Sequence, residues 1–300
     1  MVDVAFGREP SAARDASTVI VVRDRSSHGE GALAGSAVGA APGIEVFCVE
    51  RNKRSAFFGG AVVFPGGKVD DADRDAGWET SGTPPPSSAA PFARDESALR
   101  ALSVAACRET LEEAAILPLF GGTLTHDELL ALRAEASTAT LLALLRTRGL
   151  KLDLAALVPF ARWITPIAEP RRYDTRFFLT LAPQGQPGAH DNHETTASFW
   201  ASPAAVLARY DAGTAELAPP THRTLEILSE CASAKDALSR ARAACLDPIC
   251  PELVRHVDRE GETMALVLPG DPAHSLKEAR VPGRSRFVLR GAVWTPTMAP

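Results

Sequence analysis

Glu109, Glu112 and Glu113, in the stretch Arg108-Glu109-Thr110-Leu111-Glu112-Glu113, are the residues of this chain best spaced to do chemistry together. At about 100° per residue on a helix they fall within roughly 100° of one another, while Val104, Cys107 and Leu111 take the opposite side. Like charges at i, i+3 and i+4 repel, so the arrangement gives an isolated helix nothing. Hard divalent cations such as Mg²⁺ or Mn²⁺ need several oxygens at one point, and the cluster makes most sense with such a cation in it.

The element that must carry these carboxylates is a helix. Asp95 suits its N-cap, Glu96 its first turn, and Pro118 its end, which predicts a helix over about 96 to 117. Upstream, Pro65-Gly66-Gly67 reads as a glycine turn that ends a short strand at Phe64. Residues 17–23, rich in Val and Ile, and 44–50 read as two earlier strands, with 61–64 a short third. Residues 29–43, rich in Gly, Ala and Ser, read as a flexible hairpin loop. Beyond the helix, 125–148 has helical spacing and few glycines, 160–167, 173–182 and 197–201 read as strands, and Ser202-Pro203 opens another helix.

These residues resemble the Nudix box, G-x5-E-x7-R-E-U-x-E-E-x-G-U with U a bulky aliphatic. Gly67 matches its opening glycine, Arg108-Glu109 its R-E pair, Glu112-Glu113 its E-E pair and Ile116 its last aliphatic; Ala115 stands where the motif has glycine. Gly67 and Arg108 are 41 positions apart where the motif has 14, so 27 residues are inserted and the box is split. The split resembles a subgroup of the Nudix hydrolase superfamily that includes a peroxisomal coenzyme A diphosphatase. Trp163 to Pro166, Arg171 to Phe178, Glu194 to Pro203 and Pro219 to Leu225 extend the likeness.

The resemblance implies an α+β fold, a mixed sheet sandwiched between helices. It implies a domain over 17–230 with an insertion at about 74–95, between an N-terminal tail (1–16) and a C-terminal extension (231–300). The proline run 83–91 predicts that the insertion is a solvated loop, trimmable between 79 and 92 at little cost. Packing on the core, covering the site and serving a homodimer are all open to the extension.

By the same resemblance Glu109, Glu112 and Glu113 hold Mg²⁺ or Mn²⁺, helped by a backbone carbonyl near Gly66 or Gly67. Arg108 pairs with one of the glutamates and fixes its rotamer; elsewhere in the family an acidic residue ahead of the helix makes this contact, a position that falls here on Asp73. Glu194, in a later loop, is the candidate base or further metal ligand, and His190 and His193 beside it could also meet a metal, against a solvated-loop reading of the same segment. The substrate is a nucleoside diphosphate linked to another moiety. Residues 50–67 resemble coenzyme A diphosphatases and favour coenzyme A or acyl-coenzyme A, cleaved to 3′,5′-ADP and a phosphopantetheine. ADP-ribose or another dinucleotide, and a non-catalytic ligand-binding regulator of the same fold, are the alternatives. Guanidinium forks match phosphate oxygens, so Arg51, Arg54 and Arg172, with Lys68 beside the glycine turn, are candidate substrate contacts; Lys53, Arg171 and Arg176 join them more weakly.

Composition bounds the reading. With 300 residues, 45% of them apolar, the chain can bury a sizeable core. A net charge of −5 argues against non-specific nucleic-acid binding. No run of 18 apolar residues or secretory leader is visible, which predicts a cytoplasmic protein without a membrane span. The five cysteines form no paired framework or zinc pattern.

Overall fold

The computed structural model describes residues 11–25, 43–52, 60–191, 195–291 and 293–299. Its centre is β1 (Arg14–Asp24), whose alternation decides the architecture. Val19 and Val21 face one core while Ile20 and Val22 face another, so both sides of the strand are buried, as the unbroken β-branched run requires. β2 (Ile44–Arg51) divides in the same way, with Phe47 and Val49 on the first side and Val46 and Cys48 on the second. Next come β3 (Val62–Val63), β4 (Gly66–Lys68), a 3₁₀ turn (Asp71–Arg74), α1 (Trp78–Ser81), a second 3₁₀ turn (Ser87–Phe92) and α2 (Glu96–Ala114). The chain continues through α3 (His126–Ala136), α4 (Leu141–Thr147), β5 (Val158–Ile164), β6 (Tyr173–Leu181), β7 (Thr195–Ala201), α5 (Pro203–Asp211) and α6 (Pro219–Ser229). It ends in α7 (Ala234–Arg242), β8 (Glu252–Asp258), β9 (Gly261–Val267), β10 (Arg286–Arg290) and β11 (Val293–Thr297).

The main sheet runs β3-β2-β1-β6-β5, with β4 also on β1 and β7 also on β2. β1 and β6 are parallel and the other pairs antiparallel, so the sheet is mixed. One face is covered by α2, α3, α4 and the inserted segment; the other by α5, α6, α7 and a second antiparallel sheet, β11-β10-β9-β8. This is the expected α+β sandwich.

Three expectations change, and the open place of residues 231–300 is filled. β1 begins at Arg14, inside the expected N-terminal tail, because Arg14, Asp15 and Ala16 already pair with Tyr173, Asp174 and Thr175. The insertion is no solvated loop: Trp78, Ala89 and Phe92 are buried, Phe92 meets Phe178 edge-on at 5.3 Å, and Thr83 N–H donates to Leu152 O at 2.9 Å. Proline supports this docking, since Pro86 at φ −64° enters a 3₁₀ turn that needs no long hydrogen-bonded run. Residues 231–300 pack on the core: Phe287 and Trp294 join the same cluster as Ile20 and Val46, and Ile249 bridges to Trp163 of β5. The catalytic-helix candidate stops at Ala114, three residues short, where Ala115 turns left-handed at φ 49° and ψ 43°. The hairpin expected over 29–43 falls, up to residue 42, outside the described residues.

Candidate active site

α2 starts where its sequence says it should, Asp95 accepting from Ala98 N–H at 2.7 Å. Its apolar side, with Val104, Cys107 and Leu111 fully buried, packs on β1, and Ser17 Oγ donates to Leu102 O at 2.7 Å across that contact. This fixes the height of the helix against β4, which lies on the same strand. Two glycines let them close. A Cβ on Gly66 would meet Ser17 O at 2.4 Å, and one on Gly67 would meet Glu109 Oε1 at 2.4 Å. The Gly-Gly pair is therefore a steric requirement: the backbone of β4 lies directly on the Glu109 carboxylate.

Arg108 organises the acidic edge. Its Nε and Nη2 donate to the two Asp73 oxygens at 2.9 and 3.0 Å, a bidentate fork, and its Nη1 donates to Glu109 Oε1 at 2.9 Å and Glu112 Oε2 at 3.1 Å. Nη2 also reaches Lys68 O at 3.0 Å, and Asp70 stands 3.8 Å away. The expected pairing with a glutamate is thus found twice over, and Asp73, six residues after Gly67, makes the contact that its family position suggested. Glu113 turns the other way and accepts from Gly66 N–H at 2.9 Å.

Burial drives the Glu109 pKa up to about 7, with Glu112 adding to the rise and Arg108 opposing it. Glu112 is also raised, again first by burial. Burial likewise opposes the Arg108 charge, but Asp73, Glu109 and Glu112 outweigh it and hold the guanidinium above its ordinary range. Four carboxylates on one guanidinium leave negative charge in excess, and the donors are all hard oxygens, which suits Mg²⁺ or Mn²⁺. The carboxylates share an edge without closing on one point: among the described residues no group of three His, Cys, Asp or Glu side chains is gathered to hold a metal ion. Glu109 and Glu112 turn instead to Arg108, and Glu113 to Gly66.

The cationic candidates do not form one group. Lys68 is exposed and pairs with Asp70 at 2.9 Å, which raises its pKa. It lines a cleft of about 400 Å³ with Arg14, Asp15, Val69, Asp70, Asp71 and Arg74; Arg14 and Arg74 had no signal in the sequence beyond their charge. Arg51 closes β2 opposite Thr195, away from that cleft's lining. Arg172 is a chain clamp, its Nε on Thr165 O at 3.1 Å and Nη1 on Ser11 O at 2.9 Å. Arg176 is buried on Asp15, Asp174 and Phe92 O, which removes it from phosphate duty. Lys53, Arg54, His193 and Glu194 lie outside the described residues. His190 accepts or donates at Ser198 Oγ, 3.2 Å away, as a loop residue would.

A mixed sheet between helical layers, with a split R-E-x-x-E-E helix pressed on a Gly-Gly strand, defines a Nudix-type protein. The family model described as the NUDT19 Nudix domain matches residues 13–228, and the chain belongs to that family. The acyl-coenzyme A diphosphatase NUDT19 of Gallus gallus is 32% identical over 221 residues, 59% of this chain and 58% of the relative. The Homo sapiens protein of the same name is 28% identical over 275 residues, covering 77% and 72%. A solved NUDIX hydrolase from Alicyclobacillus acidocaldarius superposes with a TM-score of 0.61 at 31% identity, covering 76% of this chain and 96% of its own. Against the chicken relative, then, this chain spans a little over half the length.

Proposed function

We propose that this protein is a divalent-cation-dependent hydrolase of a nucleoside diphosphate linked to a second moiety, and that coenzyme A or acyl-coenzyme A is its substrate. The observation that carries the reading is the Arg108 cluster, in which Glu109 and Glu112 are held side by side and Glu109 lies on the Gly67 backbone. That the chicken and human relatives are acyl-coenzyme A diphosphatases supports the choice of substrate.

Glu109, Glu112 and Glu113, with a carbonyl at Gly66 or Gly67, would hold Mg²⁺ or Mn²⁺. When bound, the cation supplies neutralisation of the diphosphate oxygens and acidifies water. Arg108 keeps two of the carboxylates in place without spending its own charge on the substrate. Lys68, Arg14 and Arg74 offer cations to the anionic substrate from the adjoining cleft. Glu194 is the proposed base. Among the described residues no helix is long and apolar enough to cross a membrane. All five cysteines are free, which suits the cytoplasm as the proposed compartment.

The test is a panel of coenzyme A, acyl-coenzyme A, ADP-ribose, NADH and dinucleoside polyphosphates incubated with Mg²⁺ or Mn²⁺, products resolved by chromatography. Coenzyme A compounds should be cleaved fastest, to 3′,5′-ADP. Glu112→Gln or Glu113→Gln should lower turnover about 10²-fold, or roughly 2.7 kcal/mol of transition-state stabilisation, with the fold retained. Full activity in excess chelator would remove the metal from the reading.

A further inference from the structure

We propose that Trp78, inside the segment inserted between Gly67 and Arg108, is a positioning residue for the carboxylate edge. It acts through the turn that carries Asp73. The inference rests on the reading that Glu109 and Glu112 are the reacting edge, and it concerns what holds them there.

The links are continuous. Trp78 is 2% exposed, its ring in the core beneath α2, and its indole N–H donates to Ala72 O at 3.0 Å. Ala72 lies in the short 3₁₀ turn immediately before Asp73. Asp73 is itself 2% exposed, and its Oδ2 accepts from Asp70 N–H at 2.8 Å while the same carboxylate takes the Arg108 fork. With both oxygens engaged and its own N–H on Asp70 O, this carboxylate has nowhere to go unless the turn moves. Arg108 then hands the position on to Glu109 and Glu112 through a single nitrogen, Nη1.

The indole is held from behind as well. Arg146 of α4 donates to Gly77 O at 3.0 Å and to Ser81 Oγ at 3.1 Å, bracketing the helical turn in which Trp78 sits. A side chain at Gly77 would strike that guanidinium at 2.6 Å. Core filling alone would be served by any large apolar ring; the N–H aimed at the carbonyl next to Asp73 is what packing does not require. The insertion thus supplies a brace from α4 to the catalytic edge.

The experiment compares Trp78→Phe, Asp73→Asn, the double variant and Phe92→Leu in the full chain. Free Mn²⁺ is followed by electron paramagnetic resonance, turnover on coenzyme A by product formation, and stability by urea unfolding. Trp78→Phe keeps an aromatic ring in the core, though a smaller one, and deletes the donor. It should weaken Mn²⁺ binding and lower kcat by about 5-fold, the share of one neutral hydrogen bond, with KM little moved. The double variant should be no worse than Asp73→Asn, because both act on one path. Phe92→Leu loosens the same insertion elsewhere and should lower the urea midpoint with Mn²⁺ affinity unchanged. Should Trp78→Phe fold poorly, Arg146→Met releases Gly77 O and should shift Mn²⁺ affinity in the same direction. Additive losses, a Trp78→Phe effect on the midpoint alone, or an equal Mn²⁺ loss in Phe92→Leu would reduce Trp78 to ordinary packing while leaving the site reading intact. Unchanged Mn²⁺ affinity and turnover in Asp73→Asn would instead overturn the role given to Arg108, and the brace with it.

Discussion

At the scale of single residues, Arg108 carries the most argument. Its five N–H donors are spread over Asp73, Glu109, Glu112 and Lys68 O, a distribution that needs a planar fork and that an ammonium cannot reproduce. Arg108→Lys keeps the charge, so substrate affinity should change little while Mn²⁺ affinity and turnover fall together, by roughly 10-fold or more for the lost charge-assisted bonds. Calorimetric titration of cation and of substrate separates the cases: normal cation binding with a much weaker substrate would make Arg108 a phosphate contact. The Asp73 end of this fork could be read from the sequence only as a family position, since 35 residues separate the partners and no local periodicity links them. The Glu109 side was legible because i, i+3 and i+4 spacing is a geometric fact about helices. Ala115 shows a residue-level cost that spacing does not reveal. A methyl group sits in the left-handed region that the family fills with glycine, about 1–2 kcal/mol dearer, partly offset by burial of that methyl among Ile116 and Leu117.

Among elements, the inserted segment is where reading by composition failed. Three consecutive prolines argue against helix and sheet alike, and that is correct; they do not argue for exposure. Trp78 and Phe92 are lone apolar residues with no periodic company, so nothing in the string announces that both are core. The expectation that residues 79–92 can be trimmed cheaply reverses. Removing them takes away the buried Phe92 ring, the Arg176 contact to Phe92 O and the Thr83–Leu152 bridge, and should cost about 3 kcal/mol or more, visible as a lowered urea midpoint. An unmoved midpoint would restore the loop reading. Most strands of the main sheet were legible because β-branched runs bounded by glycine and proline leave few alternatives; β4, Gly-Gly-Lys, read as a turn because it has no such run. β8 to β11 were not legible, because Arg255, His256, Arg286 and Arg290 interrupt their apolar pattern, and Arg286 and Arg290 find their partners, Asp271 and Asp258, 15 and 32 positions away.

Over the whole molecule, the docked C-terminal sheet explains the Pro-Pro-Thr-His-Arg-Thr run of α6. His222 is 3% exposed between the edges of Tyr210 and Phe287, and Arg223 reaches both Glu226 and Pro282 O of the extension. Burial, then Arg284 and Arg223, lower the His222 pKa to about 4 from 6.5, with Asp211 opposing and Glu226 3.4 Å away. The unfolded chain therefore takes up a proton that the folded one refuses. The contribution to stability is complete above pH 6.5, declines as pH falls from there to about 4, and is flat below. Its size is on the order of 2–3 kcal/mol. Urea unfolding at pH 7 and pH 4.5 should show a smaller acid loss in His222→Phe than in the parent; equal losses would assign the acid sensitivity elsewhere. The two cores lie on opposite sides of the same strands, β1, β2 and β6, and that has a consequence for the nascent chain. β1 precedes its partners β2, β4 and β6 along the chain, and its edge toward β6 at 173–181 stays unpaired until that strand is made. Loops of this span close slowly, so on the ribosome β1 is among the last strands of the sheet to be paired on both edges. Until residue 181 has emerged, Val19 to Val22 lack their β6 partners and offer an open β-branched strand edge, the kind of surface on which incomplete chains associate.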